Sequence, residues 1–320
     1  MPSTLQEYAD WLEERDDLLW PKPPKIEPAN ASAYVKPLAG VRAVTWNIYG
    51  TLLRISDGEL LLQVPQTLRM QIALEKTIEE FKMWGSMYRK PGAPWEAMHQ
   101  QYGRFLVERR MVGTRQKGDV PEVNLAEIWR KLVAQLEQKE YEYDRGFYGD
   151  EDELSIRIAY FFHASLQGVE AAPNALDALT SVSDAGLTQA LLADAQPFTL
   201  VQTLRALRTQ GTPEMPGGLF AADCSVLSCH EGIRKPSGSL YQTCPERLAE
   251  HGIEPGEVLH VSNRLRDDLA PAKQAGMRTA LYAGDKLSLK ATKADVLDPA
   301  LKPDRLLTDL GQIRDILSLN

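Results

Sequence analysis

From about residue 172 onward, short apolar runs alternate with helical stretches, and this alternation constrains the fold more than any other feature. LTQALLAD, GLFAAD, EVLHVS, RTALYAG and DRLLTDL read as strands. PFTLVQTLRALRTQG, GSLYQTCPERLAEHG, RDDLAPAKQAG and GQIRDILSL read as helices, with Pro245 expected to distort or restart the second. Strand–helix alternation predicts an α/β protein with a doubly wound, mainly parallel sheet covered by helices on both faces. A further buried strand, VRAVTW, ended by YGT, stands far upstream at residues 41 to 46.

The stretch between that strand and residue 172 has a different period. Leu74, Ile78 and Phe81 recur at helical spacing, and Trp95, Met98, Tyr102 and Phe105 continue the style. NLAEIWRKLVAQLE opens on Asn124 and Glu127, a variant capping box, and DEDELSIRIAYFFHASL has an acidic first turn suited to the helix dipole. The expected organisation is therefore an α/β core at 41–58 and 172–320, an inserted α-helical cap at 59–171, and an N-terminal arm at 1–40. The arm combines one amphipathic helix, TLQEYADWLEERDDLL, with a proline-stiffened linker, WPKPPKIEP.

Composition excludes several classes. A formal net charge of −8 argues against nucleic acid as a partner. No apolar run reaches the length a membrane span needs. The three cysteines, Cys224, Cys229 and Cys244, lack zinc-site or disulfide-framework spacing and suit a reducing compartment. The acidic N-terminus has no signal-peptide core. A cytoplasmic location is the expectation, and oligomeric state is not readable.

Ligands of doubly wound sheets bind beyond the carboxyl ends of the strands. The residues there are Asn47, Tyr49, Gly50 and Thr51, then Ala193 and Asp194, then Ser262, Asn263, Asp267 and Asp268, with Lys235 in the GIRKP loop. Cys229 and His230 in SCHE stand next to each other, and neighbours in a strand or loop point apart, which argues against a nucleophile pair. His260, inside a strand, reads as a core residue.

Four of these stretches, in order, resemble the haloacid dehalogenase-like superfamily, in its subfamily with a helical cap after the first strand. WNIYGTLL resembles the first motif, ALLADA the second, GIRKPSGSLY the third and VLHVSNRLRDDLAPAKQAGMRTALY the fourth; PEVNLAEIW resembles a recurring cap stretch. The resemblance implies a nucleophilic aspartate at the position of Asn47 and magnesium between the first and fourth motifs, facing Asn47, Tyr49, Asn263 and Asp268. It also implies ligand contacts at Gly50, Thr51, Ala193, Asp194 and Lys235, with Asn47, Tyr49 and Lys235 as the catalytic positions.

The departures from that pattern carry the functional expectation. Asn47 replaces the nucleophile, Asn263 replaces a metal-binding carboxylate, Ala193 lacks a hydroxyl and Ser262 replaces a turn glycine. A neutral amide oxygen is a poor nucleophile, and magnesium usually takes one or two carboxylates. Each lost charge is worth on the order of 4 kcal/mol at contact distance. The sequence thus predicts a catalytically impaired protein that binds a small phosphorylated or anionic molecule in a cap–core cleft, with Mg2+ weakly bound or not bound. Two alternatives stand beside it. One is an active phosphatase or 2-haloacid dehalogenase. The other is a scaffold with a vestigial cleft whose arm, through Trp11 and Trp20, meets a partner.

Overall fold

The computed structural model describes residues 4–87, 92–212 and 218–319. The chain opens with helix α1 (Leu5–Glu13), crosses an irregular stretch and enters strand β1 (Ala43–Trp46). A short β2 (Leu53–Ile55) leads to helices α2 (Thr67–Glu80) and α3 (Pro94–Arg110), then β3 (Val120–Pro121) and helices α4 (Leu125–Glu137), α5 (Arg145–Tyr148) and α6 (Glu151–Leu166). Strand β4 (Val169–Ala171) returns antiparallel to β2. The chain continues through α7 (Ala175–Asp184), β5 (Thr188–Ala193), α8 (Thr199–Arg208), β6 (Val226–Leu227), the single turn α9 (Ser228–Glu231) and β7 (Ile233–Arg234). It closes with α10 (Gly238–Ala249), β8 (Val258–Ser262), α11 (Ala270–Gln274), β9 (Arg278–Tyr282), α12 (Lys293–Leu297), β10 (Arg305–Leu307) and α13 (Ile313–Leu317).

Six strands form one sheet in the order β10-β9-β8-β1-β5-β6, and every pair in it is parallel. β1 therefore lies between β8 and β5, where successive connections leave in opposite directions. That is the switch point at which open α/β sheets hold their sites. All four residues of β1 are buried, as a central parallel strand requires. Its register sets Trp46 opposite Val261 and Leu191, so Asn47, Ser262 and Leu192 emerge side by side.

The helices between β2 and β4 build their own apolar cluster around α6, which is buried on nearly every face from Leu154 to Leu166. Asp150 and Glu153 cap α6 reciprocally, and Trp129 of α4 and Tyr102 of α3 pack on Phe162. Asn124 caps α4, but it accepts the Ala126 N–H (2.9 Å) instead of completing the expected box with Glu127.

The N-terminal segment is bound along its length. α1 stops at Glu13, short of Leu19, and buries Tyr8, Ala9 and Leu12 in the helical cluster. Trp11 lies 5.0 Å from the ring of Phe147, and Trp20 lies 5.3 Å from Phe161. Both tryptophans pack on the chain's own helices. The linker then runs onto the sheet: the Arg54 side chain donates to the Pro24 carbonyl, Lys286 N donates to the Glu27 carbonyl (2.7 Å), and Tyr34 pairs with Leu306.

Three local expectations differ from the structure. GLFAAD is a turn region, because the Ala221 N–H leaves to cap the Gln189 carbonyl (2.7 Å), and the strand forms just beyond, at Val226–Leu227. SCHE is a helical turn, α9. α10 runs through Pro245 without interruption, and the ring is buried there. Among the described residues, no helix is long and apolar enough to cross a membrane.

Candidate functional site

Gly50 makes the first loop possible. Its φ is +84°, and a Cβ there would lie 2.3 Å from the Asn263 amide nitrogen. Any other residue would push the Asn263 side chain out of its place and strain the backbone at this positive φ. With glycine in place, the Thr51 hydroxyl accepts the Asn263 N–H (3.0 Å) and donates to Asn263 Oδ1 (3.0 Å).

Asn47 sits at the centre and is fully engaged. Its Oδ1 accepts Lys235 Nζ at 3.0 Å. Its Nδ2 donates to the Tyr49 carbonyl at 3.0 Å and to Asn263 Oδ1 at 3.0 Å. Asn263 Nδ2 in turn donates to the Ser288 carbonyl at 2.6 Å. Two carboxylates at these positions would repel each other and need a cation between them. Two carboxamides need none, because an N–H of one meets the C=O of the other.

Lys235 is held from three sides. Besides Asn47, its Nζ reaches the Leu192 carbonyl at 2.7 Å and Asp268 Oδ2 at 2.5 Å. Asp268 also accepts Ser262 Oγ (2.6 Å) and the Tyr241 hydroxyl (2.9 Å), and lies 2.8 Å from His260 Nε2. Burial by itself would raise the Asp268 carboxyl, but the charges of Lys235 and His260 outweigh it and hold the group well below the usual carboxylate range. Burial pulls Lys235 down, and Asp268 opposes that pull. Asn47, Lys235, Asn263 and Asp268 are 3%, 2%, 1% and 0% exposed, so this network is sealed by its own side chains.

The other expected residues divide. Ala193 ends β5, buried, with no polar group to offer. Asp194 is present but faces cations: Oδ1 accepts the Lys235 N–H (2.8 Å), and Oδ2 meets Arg264 at 2.9 Å and Arg234 at 3.6 Å. The Tyr49 hydroxyl turns away, donating to Gln202 Oε1 (2.6 Å), and burial pushes it far above its ordinary pKa. Only its carbonyl faces Asn47. Asp267 lies outside, on Arg264 at 3.5 Å, because residues Leu265–Leu269 form one π-helical turn that rotates Asp268 inward instead. His260 is buried in the core as expected, and also bridges Thr45 Oγ1 (2.9 Å) to Asp268.

The sequence reading missed Arg264, Arg234 and Glu122. Arg264 follows the Ser262-Asn263 pair directly, and a cation in a strand-end loop was a readable signal. Glu122 carried none: it arrives from the helical region because β3 pairs with β7, and it accepts Ser228 Oγ (2.5 Å). Gln196 fastens the same segment, accepting the Leu125 N–H (2.7 Å) and donating to the Val123 carbonyl (3.0 Å).

The fold family implies magnesium, and the residues present do not fit it. The oxygens that would face the ion, Asn47 Oδ1, Asn263 Oδ1 and the Tyr49 carbonyl, each already accept an N–H or O–H from within the site. No carboxylate stands among them, whereas magnesium is usually held by one or two.

This architecture, a parallel sheet with β1 at its switch point and a helical layer between β2 and β4, is a haloacid dehalogenase-like (HAD-like) fold. Residues 232–313, from the Lys235 loop to the start of α13, match the family model described as HAD-hydrolase-like. A 2-haloacid dehalogenase from Pseudomonas syringae pv. Tomato DC3000 superposes with a TM-score of 0.51 at 21% identity, covering 87% of this chain and 98% of that one. A crystal structure titled as a dehalogenase covers 88% of this chain and 100% of its own at 19% identity, with a TM-score of 0.47. The L-2-haloacid dehalogenase from Xanthobacter autotrophicus with chloropropionic acid covalently bound covers 85% and 96% at 19% identity, with a TM-score of 0.41. Comparison with curated proteins gives no match.

Proposed function

We propose that this protein is a catalytically impaired HAD-like hydrolase that binds a small anionic molecule between its helical cap and its core without metal. The observation that supports this reading most is the Asn47 carboxamide, hydrogen-bonded to Lys235 on one side and to Asn263 on the other. It has no charge to attack with, and its oxygen is turned to a lysine.

The geometry also shifts the expected anion contacts. Lys235 is saturated by Asn47, Leu192 and Asp268, so it is a poor hand for a ligand. Arg264 and Arg234 sit at the rim, with side chains 15% and 32% exposed, and Asp194 is their present counter-ion. An entering phosphate or carboxylate would take over one guanidinium face, for which forked N–H donors are well shaped. Competition with Asp194 makes the expected affinity modest.

Calorimetric titration with inorganic phosphate, a phosphomonoester and a short carboxylate, each with and without magnesium, tests the reading. Binding should be independent of magnesium and weaken about tenfold or more in Arg264→Gln, in line with loss of a charge-assisted hydrogen bond. Tight, magnesium-dependent binding contradicts it. A second reading, a vestigial cleft, draws on the sealing of the four central residues at 3% exposure or less. Complete absence of binding to all three probes would favour it.

A further inference from the structure

Towards the amino ends of the parallel strands, opposite the carboxyl end where Arg264 follows β8, three different metal-ligating side chains converge. Asp223 and Cys224 lie in the turn before β6, and His251 lies in the turn after α10. One ligand atom from each, a carboxylate oxygen, the thiol sulfur and an imidazole nitrogen, falls within 4.8 Å of the other two. We propose that Asp223, Cys224 and His251 form a binding site for a borderline-soft divalent transition metal ion, with Zn2+ the best-suited case.

The donor set suits that chemistry. Zn2+ takes thiolate, imidazole and carboxylate at about 2.0–2.3 Å in a tetrahedron, which puts neighbouring donors about 3.3–3.7 Å apart. His251 Nε2 and Asp223 Oδ2 are 2.9 Å apart, so a small outward movement admits an ion between them. Magnesium and calcium, which prefer all-oxygen ligands, are the wrong class.

The backbone holds the donors independently of any ion. The His251 N–H caps the Leu248 carbonyl at 3.0 Å, and the Ser225 N–H closes the turn on the Ala222 carbonyl at 3.3 Å. The second oxygen of Asp223 accepts the Cys224 N–H at 3.1 Å, which orients the carboxylate toward His251. Such outer contacts fix ligand direction in metal sites. Cys224 is packed in a cluster with Leu240, Tyr241, Cys244 and Leu248 of α10, so both elements are locked together beneath the site. The His251 and Asp223 side chains are 47% and 65% exposed and give the ion a route in, while the thiol lies buried behind them. With three protein donors, the fourth tetrahedral position belongs to solvent.

A thiol–imidazole nucleophile is the competing use of these groups, and the electrostatics oppose it. Burial pushes the Cys224 thiol up, and the charges of Asp223 and Glu250 add to the rise. A nucleophile needs the thiolate that these surroundings disfavour. Ligation puts the metal in place of the thiol proton, which passes to water. The same negative surroundings that disfavour a free thiolate favour a cation.

The test is titration of the full-length protein, stripped with a chelator, with Co2+ as the spectroscopic probe and Zn2+ as the competitor. The expected result is one equivalent of Co2+ giving a thiolate charge-transfer band in the near ultraviolet, displaced by Zn2+. The band should vanish in Cys224→Ser, and the affinity should fall at least tenfold in His251→Ala, a surface change that leaves the core intact. Cys229→Ser should leave both unchanged. Absence of the band in the parent protein, its persistence in Cys224→Ser, or an unchanged affinity in His251→Ala would overturn the proposal.

Discussion

A pair of asparagines does at this site what a metal ion and two carboxylates would do together. The Asn47–Asn263 contact at 3.0 Å links the β1 and β8 loops with one neutral hydrogen bond. Restoring both acids in N47D/N263D places two carboxylates where that bond was, beside the already ionised Asp268. Like charges at this range cost on the order of several kcal/mol, so the double variant should melt several degrees below the parent protein in chelator. Millimolar Mg2+ should then restore much of the loss, while the parent's melting temperature stays unmoved. Thermal denaturation with and without Mg2+ checks this, and an equal response in both proteins would contradict it. The replacement of acid by amide was legible in the sequence, because it falls on two motifs at once. The fourth-motif resemblance also singled out Asp268, which the π-helical turn carries into the network, but its bond to Lys235 was not legible, because it joins two motifs distant in sequence. The Arg264–Asp194 pair was likewise hidden, since it joins two loops distant in sequence.

Among the elements, α6 carries the sharpest consequence. Its His163 is wholly buried against Phe198 and the site's Tyr49, with Nε2 3.2 Å from Gln167 Oε1. Burial lowers its pKa from 6.5 to about 4. Between those values the unfolded chain binds a proton that the folded chain refuses, so folding stability must fall as pH drops from about 6.5 toward 4. The loss amounts to up to about 3 kcal/mol by the linkage relation. Denaturant melts at pH 7 and pH 5 should show this slope in the parent protein and a flatter one in His163→Gln. An unchanged slope in the variant would assign the effect elsewhere. The helices of this region were readable because their apolar stripes repeat at helical spacing, and Leu74, Ile78 and Phe81 are all buried as that spacing predicts. β6 was misplaced because only two residues pair, and the apolar run beside it, from Leu219 to Ala222, is longer than the strand itself.

At the scale of the molecule, the N-terminal segment acts as a strap. It buries α1 in the helical cluster, crosses Arg54 and Lys286, and pairs with β10 at the far edge of the sheet. The sequence suggested a contact surface for a partner at Trp11 and Trp20, and periodicity does not separate that from an arm wrapped on its own chain; the packing of the two tryptophans does. A strap predicts that Leu12→Ala, at a fully buried position, destabilises the whole protein by about 2–5 kcal/mol, as large-to-small core changes do. A free arm predicts no change in the denaturation midpoint.

The account rests on an uncharged group at the point of attack, and one measurement meets that claim directly. The purified protein would be incubated with phosphomonoesters and with 2-haloacids, with and without Mg2+, while product release is followed and the intact mass is recorded. The expected outcome is turnover no faster than buffer and no mass adduct. Hydrolysis above background, together with an adduct mapped to Asn47, would contradict it.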